Sequence, residues 1–155
     1  MKDLSVARLA KSDAAALSRL LSSDSNDYKQ YFIPFDADEK SLAVRLGSVV
    51  QDRYWGIGFG NILIGLFMLR GFDEGYQRPS FGVYISHAYS GKGLARFALE
   101  YCISWCRLNG IDRMMLKVHP ENHYARKTYE DAGFVPVEIC RRTGHTIMER
   151  RWSER

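Results

Sequence analysis

The chain has 155 residues, of which 46% are hydrophobic and 26% charged, and its formal net charge is +4. This length suits one domain whose core needs no metal or disulfide, so we expect residues 1–155 to form a single domain. No apolar run approaches the roughly 20 residues of a membrane span, and the amino-terminal residues lack a signal-peptide core. We therefore expect a cytoplasmic protein without a membrane partner.

Charge and cysteine content exclude further classes. The basic residues are dispersed along the chain, which argues against a nucleic-acid partner, although a modest positive charge suits an anionic cofactor or substrate. The three cysteines, Cys102, Cys106 and Cys140, are odd in number and lack metal-ligand spacing. We interpret them as core thiols and expect no metal site.

Hydrophobic periodicity predicts the elements of the first half in chain order. A strand over residues 4–9 precedes a helix over about residues 13–21, and a second helix follows over about residues 38–50. The loop of residues 24–35 between these helices carries several aromatic side chains and is broken at Pro34. Two alternating runs, residues 54–59 and 63–69, flank Gly60-Asn61 and indicate an antiparallel hairpin.

The second half alternates strands with helices. The pattern predicts a strand over residues 80–85, a helix over about 91–108, a strand over 114–118 and a helix over about 122–132. A terminal hairpin follows, with strands over residues 135–140 and 146–152. This order indicates an α/β (α+β) domain with a mixed sheet.

A glycine turn between a strand and a helix is the first motif that carries chemistry. Gly91, Lys92 and Gly93 precede the helix, whose first amides and dipole favour an anion such as a phosphate. Glycine permits close approach of a pyrophosphate, and Lys92 and Arg96 add positive charge. A purely structural tight turn explains the same glycines. Arg96 stands where a dinucleotide fingerprint needs its third glycine, and no Walker sequence is present.

A second motif follows about thirty residues later. Asn122, Ala125 and Tyr129 lie on one face of a predicted helix that ends at Gly133-Phe134. Together with the turn of residues 90–95, this helix resembles the two signature motifs of the GNAT superfamily of N-acetyltransferases. The motif match covers about residues 81–134, and the element order is similar over nearly the whole chain.

The resemblance implies a GNAT fold, a mixed sheet of about six to seven strands with splayed parallel central strands and about four flanking helices. It implies acetyl-CoA as the acetyl donor, with the thioester between the splayed strands. The cofactor-binding residues that it implies are Val83, Tyr84 and Ile85 on the strand, Gly91, Lys92, Gly93, Leu94, Ala95 and Arg96 in the turn, and Asn122 on the second helix.

Tyr129 matches the tyrosine that gives a proton to the departing CoA thiolate in the family. A core aromatic role is the alternative interpretation of this tyrosine, and a helix N-cap is the alternative for Asn122. The resemblance also implies that the terminal hairpin can serve as the interface of a homodimer.

The sequence departs from the family where many members carry a glutamate as the general base, because that position is Lys117. An amine must lose a proton before it attacks a thioester. His119 and Glu74 are our catalytic candidates for this step, with Asp73, Tyr76, Tyr84 and His87 as further acceptors. The alternative for His119 is a surface or loop histidine without a catalytic role, and the alternative for Asp73 and Glu74 is a pair of solvated turn carboxylates.

The function that we expect is direct acetyl transfer from acetyl-CoA to a primary amine of a small metabolite, such as an amino sugar nucleotide. A peptide or protein amino group is the alternative acceptor, and the missing glutamate leaves open a CoA-binding module without catalysis. No covalent enzyme intermediate is required.

Overall fold

A seven-stranded mixed sheet organises the computed structural model, which describes residues 1–32 and 35–152. The strands are β1 (Leu4–Arg8), β2 (Arg53–Phe59), β3 (Ile62–Arg70), β4 (Ser80–Ile85), β5 (Arg113–Val118), β6 (Val135–Ile139) and β7 (Thr146–Arg151). The helices are α1 (Ala14–Ser22), α2 (Glu39–Gly47), α3 (Leu94–Leu108) and α4 (His123–Asp131). The strand order is β1-β2-β3-β4-β5-β7-β6, and only the central pair β4 and β5 is parallel.

The two faces of the sheet bury separate clusters. Helices α1 and α2 cover one face, where Leu17 and Leu42 pack with Leu66 of β3 and Tyr84 of β4. Helix α3 and the residues around α4 cover the opposite face. The buried side of α3 consists of residues at helical spacing: Ala98, Leu99, Cys102, Ile103 and Cys106. The predicted mixed sheet of about six to seven strands with about four flanking helices is therefore confirmed.

The two parallel strands separate soon after they meet. Their pairing joins Ser80 to Met115 and Phe81 to Leu116, while β4 continues to Ile85 and β5 to Val118. The segments of residues 82–85 and 117–119 consequently border an opening in the sheet. Backbone groups along this opening need hydrogen-bond partners other than a neighbouring strand.

The predicted elements are confirmed, and apart from two helix ends that shift by three residues their ends differ from the prediction by at most one residue. Helix α3 begins at Leu94 rather than at Gly91, because Gly91 and Gly93 have positive φ angles of 73° and 82° that no α-helix accommodates. Helix α2 ends at Gly47 rather than at residue 50, and α4 begins one residue after its N-cap, Asn122. The predicted break at Pro34 lies outside the described residues.

The interpretation of all three cysteines as core thiols is wrong for one of them. Cys102 and Cys106 are buried between α3 and the sheet, whereas Cys140 follows β6 and is half-exposed. Among the described residues, no helix has both the length and the apolarity needed to cross a membrane. The cytoplasmic location stays a prediction.

Candidate active site

The glycine turn opens onto free space at the start of α3. A Cβ added at Gly91 or Gly93 would meet no atom within 4 Å, so the positive φ angles, rather than crowding, account for glycine at both positions. Gly93 is the N-cap of α3, and its carbonyl accepts the N–H of Phe97 at 3.0 Å. The N–H groups of the first turn have no partner within a helix and are suited to bind an anion.

A cavity of about 230 Å³ connects this turn to the open edge of β4 and to α4. Its lining residues are Tyr28, Val83, Ile85, Tyr89, Ser90, Gly91, Gly93, Leu94, Ala95, Arg96, Tyr124 and Thr128. Most of the predicted cofactor residues are thereby brought together. Tyr28, Tyr124 and Thr128 were not predicted, although the spacing of Tyr124 and Thr128 by one helical turn is visible in the sequence.

Three predicted cofactor residues have other surroundings. Lys92 is exposed outside the cavity lining. Tyr84 is buried on the α1 and α2 side of β4, where its hydroxyl donates to Asp24. Asn122 caps α4, since its side-chain oxygen accepts the N–H of Ala125 at 3.3 Å. Their roles in cofactor binding stay predictions.

A second hollow of about 390 Å³ lies beside α2, away from the glycine turn. The Asp73 carboxylate at its edge accepts the backbone N–H groups of Val50, Gln51 and Asp52, at 3.1, 2.6 and 3.3 Å. These hydrogen bonds hold the pKa of Asp73 below its usual range. Asp73 therefore fixes the chain before β2, and its oxygens are already engaged.

Glu74 is not brought to the cavity. It is exposed in the loop before β4, at the amino end of that strand, while the cavity lies at the carboxyl end. The six residues of β4 span about 20 Å, so the loop and the cavity lie at opposite ends of the strand. The closeness of Glu74 to β4 in the sequence does not bring it to the cavity, because the direction of the strand decides which of its ends meets the cavity.

Residues 23–32, which we call the bridging loop, link both sides of the opening. The Tyr28 hydroxyl donates to the Ile85 carbonyl at 2.6 Å, and its ring stacks on His87 with centroids 4.2 Å apart. Tyr31 lies against His119, after β5, at a centroid distance of 4.7 Å. These contacts join residues more than 50 positions apart, which no local sequence pattern predicts.

Tyr129 lies on the α3 side of the opening. It is half-buried between Phe81 and Phe134, with ring centroids 6.5 and 6.2 Å away. Burial raises its pKa to about 12, so its hydroxyl keeps its proton throughout the neutral range. Among the described residues no group hydrogen-bonds this hydroxyl, which leaves it free to donate to a ligand.

The opposite face carries a basic and nucleophilic group, which we call the His119 cluster: Lys117, His119, Cys140 and His145. Leu116, Val118 and Met148 point into the α3 core, so Lys117 and His119 of the alternating strand point away from it. Val118 of β5 pairs with Thr146 of β7. His119 follows Val118 and His145 precedes Thr146, so the two histidines lie side by side, with ring centroids 5.3 Å apart. Among the described residues, no three metal-ligating side chains are arranged to hold an ion.

Cys140 differs sharply from the two core cysteines in acidity. Hydrogen bonds from the Thr143 hydroxyl and from nearby backbone amides lower its pKa to about 7, with a smaller contribution from Lys117. Burial instead raises the pKa of Cys106 to about 12 and that of Cys102 still further. At neutral pH only Cys140 has an appreciable thiolate fraction.

We predict that iodoacetamide at pH 7 modifies Cys140 alone, because alkylation requires both a thiolate and access. Intact-mass and peptide analysis should find one adduct, which Cys140→Ser abolishes. Lowering the pH to about 5.5 protonates the thiolate and should slow the reaction by about tenfold. An adduct at Cys102 or Cys106 at a comparable rate would contradict this assignment.

Comparison with known proteins places this geometry in a family. The model of the acetyltransferase (GNAT) family matches residues 25–134. A mycothiol acetyltransferase from Beutenbergia cavernae is 41% identical over 49 residues, which make up 32% of this chain and 16% of that protein. This chain thus spans only a small part of that curated relative.

Solved structures share the fold at low sequence identity. A ribosomal-protein-S5-alanine acetyltransferase from Vibrio fischeri superposes with a TM-score of 0.80 and 17% identity, covering 97% of this chain and 96% of that one. The PaiA N-acetyltransferase from Thermoplasma acidophilum, solved in complex with coenzyme A, gives a TM-score of 0.75 and 18% identity, covering 97% and 99%. With the family model matching most of its length, this chain belongs to the acetyltransferase (GNAT) family.

Proposed function

We propose that this chain transfers the acetyl group of acetyl-CoA directly to a primary amine of a small, anionic metabolite. The observation that carries the proposal is the single cavity that joins the glycine turn to the open edge of β4 and to α4. At one end the cavity offers backbone amides to a pyrophosphate, and at the other end it meets the opening in the sheet, which can hold the thioester. Acetyl-CoA is the donor that the family uses.

In this proposal the donor follows the cavity from turn to opening. The first amides of α3 bind the pyrophosphate, with Arg96 beside them, and the pantetheine arm lies along Val83 and Ile85. The Ile85 carbonyl already accepts the Tyr28 hydroxyl, so the bridging loop and the donor meet at this strand end. The thioester then lies in the opening between β4 and β5.

Tyr129 supplies the proton that the departing thiolate needs. Its raised pKa keeps the hydroxyl protonated, and no described group competes for that proton. Attack by the amine gives a tetrahedral oxyanion, which amides along the opening stabilise. His119 lies on the other face of the opening, where a substrate amine approaches.

The charge of that other face supports an anionic acceptor. Lys117 accompanies the two histidines there, and its positive charge attracts negatively charged metabolites. An amino sugar nucleotide combines an anionic phosphate group with a primary amine. The similarity to a mycothiol acetyltransferase over 49 residues also favours a small acceptor.

The partner surface of the chain is proposed on separate evidence. Edge strand β6 exposes Val135, Val137 and Ile139, by 57, 49 and 67%. This apolar edge supports the homodimer through the terminal hairpin that we expect.

A panel of acceptors tests the function. The protein is incubated with acetyl-CoA and amino sugar nucleotides, simple amino sugars, polyamines and short peptides, and CoA is quantified by chromatography because Cys140 would consume a thiol reagent. We expect the fastest turnover with an anionic amino sugar. Turnover confined to peptides would move the acceptor to a protein amino group, and CoA binding without any turnover would support a binding module instead.

Substitution of the glycines should separate ligand binding from turn strain. Gly91→Ala and Gly93→Ala are each expected to cost about 1–2 kcal/mol of stability, because alanine disfavours the left-handed conformation. Because both glycines line the cavity, the added methyl group should also weaken CoA binding by at least about tenfold.

The matched control is Gly110→Ala at the far end of α3. Gly110 has a φ of 70° and, like Gly91, no atom within 4 Å of an added Cβ. It should lose the same stability in denaturant unfolding while CoA affinity, measured by calorimetry, stays unchanged. Equal loss of affinity in both variants would mean that the turn serves the fold alone.

Tyr129→Phe should reduce kcat by about 10²–10⁴-fold, since the proton for the thiolate is lost while the ring still packs. CoA affinity should change little. Tyr101→Phe, which removes a hydroxyl from a ring packed on Trp55 and Phe67, is the control. Equal turnover in Tyr129→Phe and the wild-type chain would remove Tyr129 from the mechanism.

A further inference from the structure

The proton that leaves the amine needs an acceptor on the face of the opening opposite Tyr129. Lys117 occupies the relevant strand and is no carboxylate, and the Asp73 and Glu74 carboxylates lie at the wrong end of β4. Among the described residues, the His119 cluster places two imidazoles on this face beyond the end of β5, with ring centroids 5.3 Å apart. The His87 ring, in contrast, is stacked on Tyr28.

Hydrogen bonding distinguishes the two imidazoles. Nδ1 of His119 accepts the backbone N–H of Glu121 at 3.1 Å, so the lone pair of this nitrogen is engaged. In the neutral ring the proton then resides on Nε2, which can donate but not accept. His119 is therefore suited to orient a substrate or an oxyanion rather than to take a proton.

His145 has the complementary arrangement. Its backbone is held by the tight turn after β6, where its N–H donates to the Thr143 hydroxyl at 3.3 Å and its carbonyl accepts from Cys140 at 2.8 Å. Among the described residues, no group hydrogen-bonds its ring. The turn thus fixes the position of the side chain and leaves a ring lone pair available.

We propose that His145 is the general base that accepts the proton of the substrate ammonium group, and this role rests on the proposed acetyl transfer. Sequence reasoning did not select His145, because it follows a hairpin turn and carries no motif. Its pairing with the end of β5 becomes visible only in the register of β5 and β7.

The proton count closes with these residues. R–NH₃⁺ gives one proton to His145, and the neutral amine forms the C–N bond at the thioester carbonyl. When the C–S bond breaks, Tyr129 gives its proton to the sulfur, and the second proton of the nitrogen restores that of Tyr129. His145 releases its proton to solvent, so the products are the amide, CoA thiol and one proton.

The surroundings keep His145 unprotonated at neutral pH. Burial lowers the pKa of His145 below its usual value, and the unfavourable interaction of a protonated His145 with His119 and with the Lys117 ammonium group lowers it further. The other titratable or charged groups near it are Cys140 and Arg142 in the same turn and Tyr31 of the bridging loop against His119. The basic form therefore persists down to a pH below about 6.5.

The pH dependence of His145→Gln tests the proposal. On the best amine of the panel, kcat/KM at about pH 7 should fall by about 10²-fold, and the acid limb of the wild-type profile should disappear. The deficit should shrink towards about pH 9.5, where the amine increasingly arrives unprotonated. CoA affinity should stay unchanged, and so should the activity of His123→Gln, the same substitution at an exposed position on α4.

Histidine NMR gives a readout that does not depend on turnover. The chain has four histidines, so His145→Gln identifies the resonance of His145. The resonance of His145 should titrate below the usual pH, and His119→Gln or Lys117→Met should raise the pKa of His145 by removing a neighbour that disfavours its protonation. An ordinary pKa that neither substitution changes would overturn the proposal.

The outcomes separate the base from the function. An unchanged acid limb in His145→Gln, with active wild-type protein, overturns the base assignment and leaves acetyl transfer intact. A wild-type protein that binds CoA but acetylates no amine in the panel overturns both.

Discussion

The divergence of β4 from β5 is the constraint on which the site depends. Only two residue pairs join these strands before they separate, which leaves the edge of β4 without a neighbouring strand up to Ile85. One of the exposed backbone groups, the Ile85 carbonyl, is satisfied by Tyr28. An extended ligand can satisfy others in the same way, since strand edges bind extended chains through their backbone groups. The proposed ligand would therefore use backbone groups that the sheet leaves without a neighbouring strand.

The opening also connects two faces with different electrostatics. Tyr129 lies among aromatic rings on one face, and His145 lies beside positive charges on the other. Burial disfavours the charged form of both groups, so the phenol keeps its proton and the imidazole loses its own. In the proposed mechanism, one physical effect thus prepares a proton donor and a proton acceptor on opposite sides of the same reacting bond. The two groups need not contact each other for this division to operate.

Local signals in the sequence were sufficient for the helices and strands, including the turn and the helix that carry the proposed donor half of the site. Gly91 and Gly93 adopt positive φ angles before α3. Tyr129 lies on α4, two turns after its N-cap Asn122, as their spacing in the sequence predicted. The acceptor half depends on contacts between distant segments. The bridging loop meets β4 and β5, and His145 meets His119, through packing and strand register. Those arrangements follow from tertiary structure, which residue patterns do not encode locally.

Lys117 then has a consequence beyond the loss of a carboxylate base. Its charge helps to keep His145 unprotonated, so the substitution that removes one base favours another. The same charge repels an approaching ammonium group. An acceptor that carries its own phosphate or carboxylate offsets this repulsion by pairing with the cations, whereas a polyamine cannot. If His145 is the base as proposed, the charge that favours this base also favours an anionic acceptor, which is why we propose an anionic amine ahead of a cationic one.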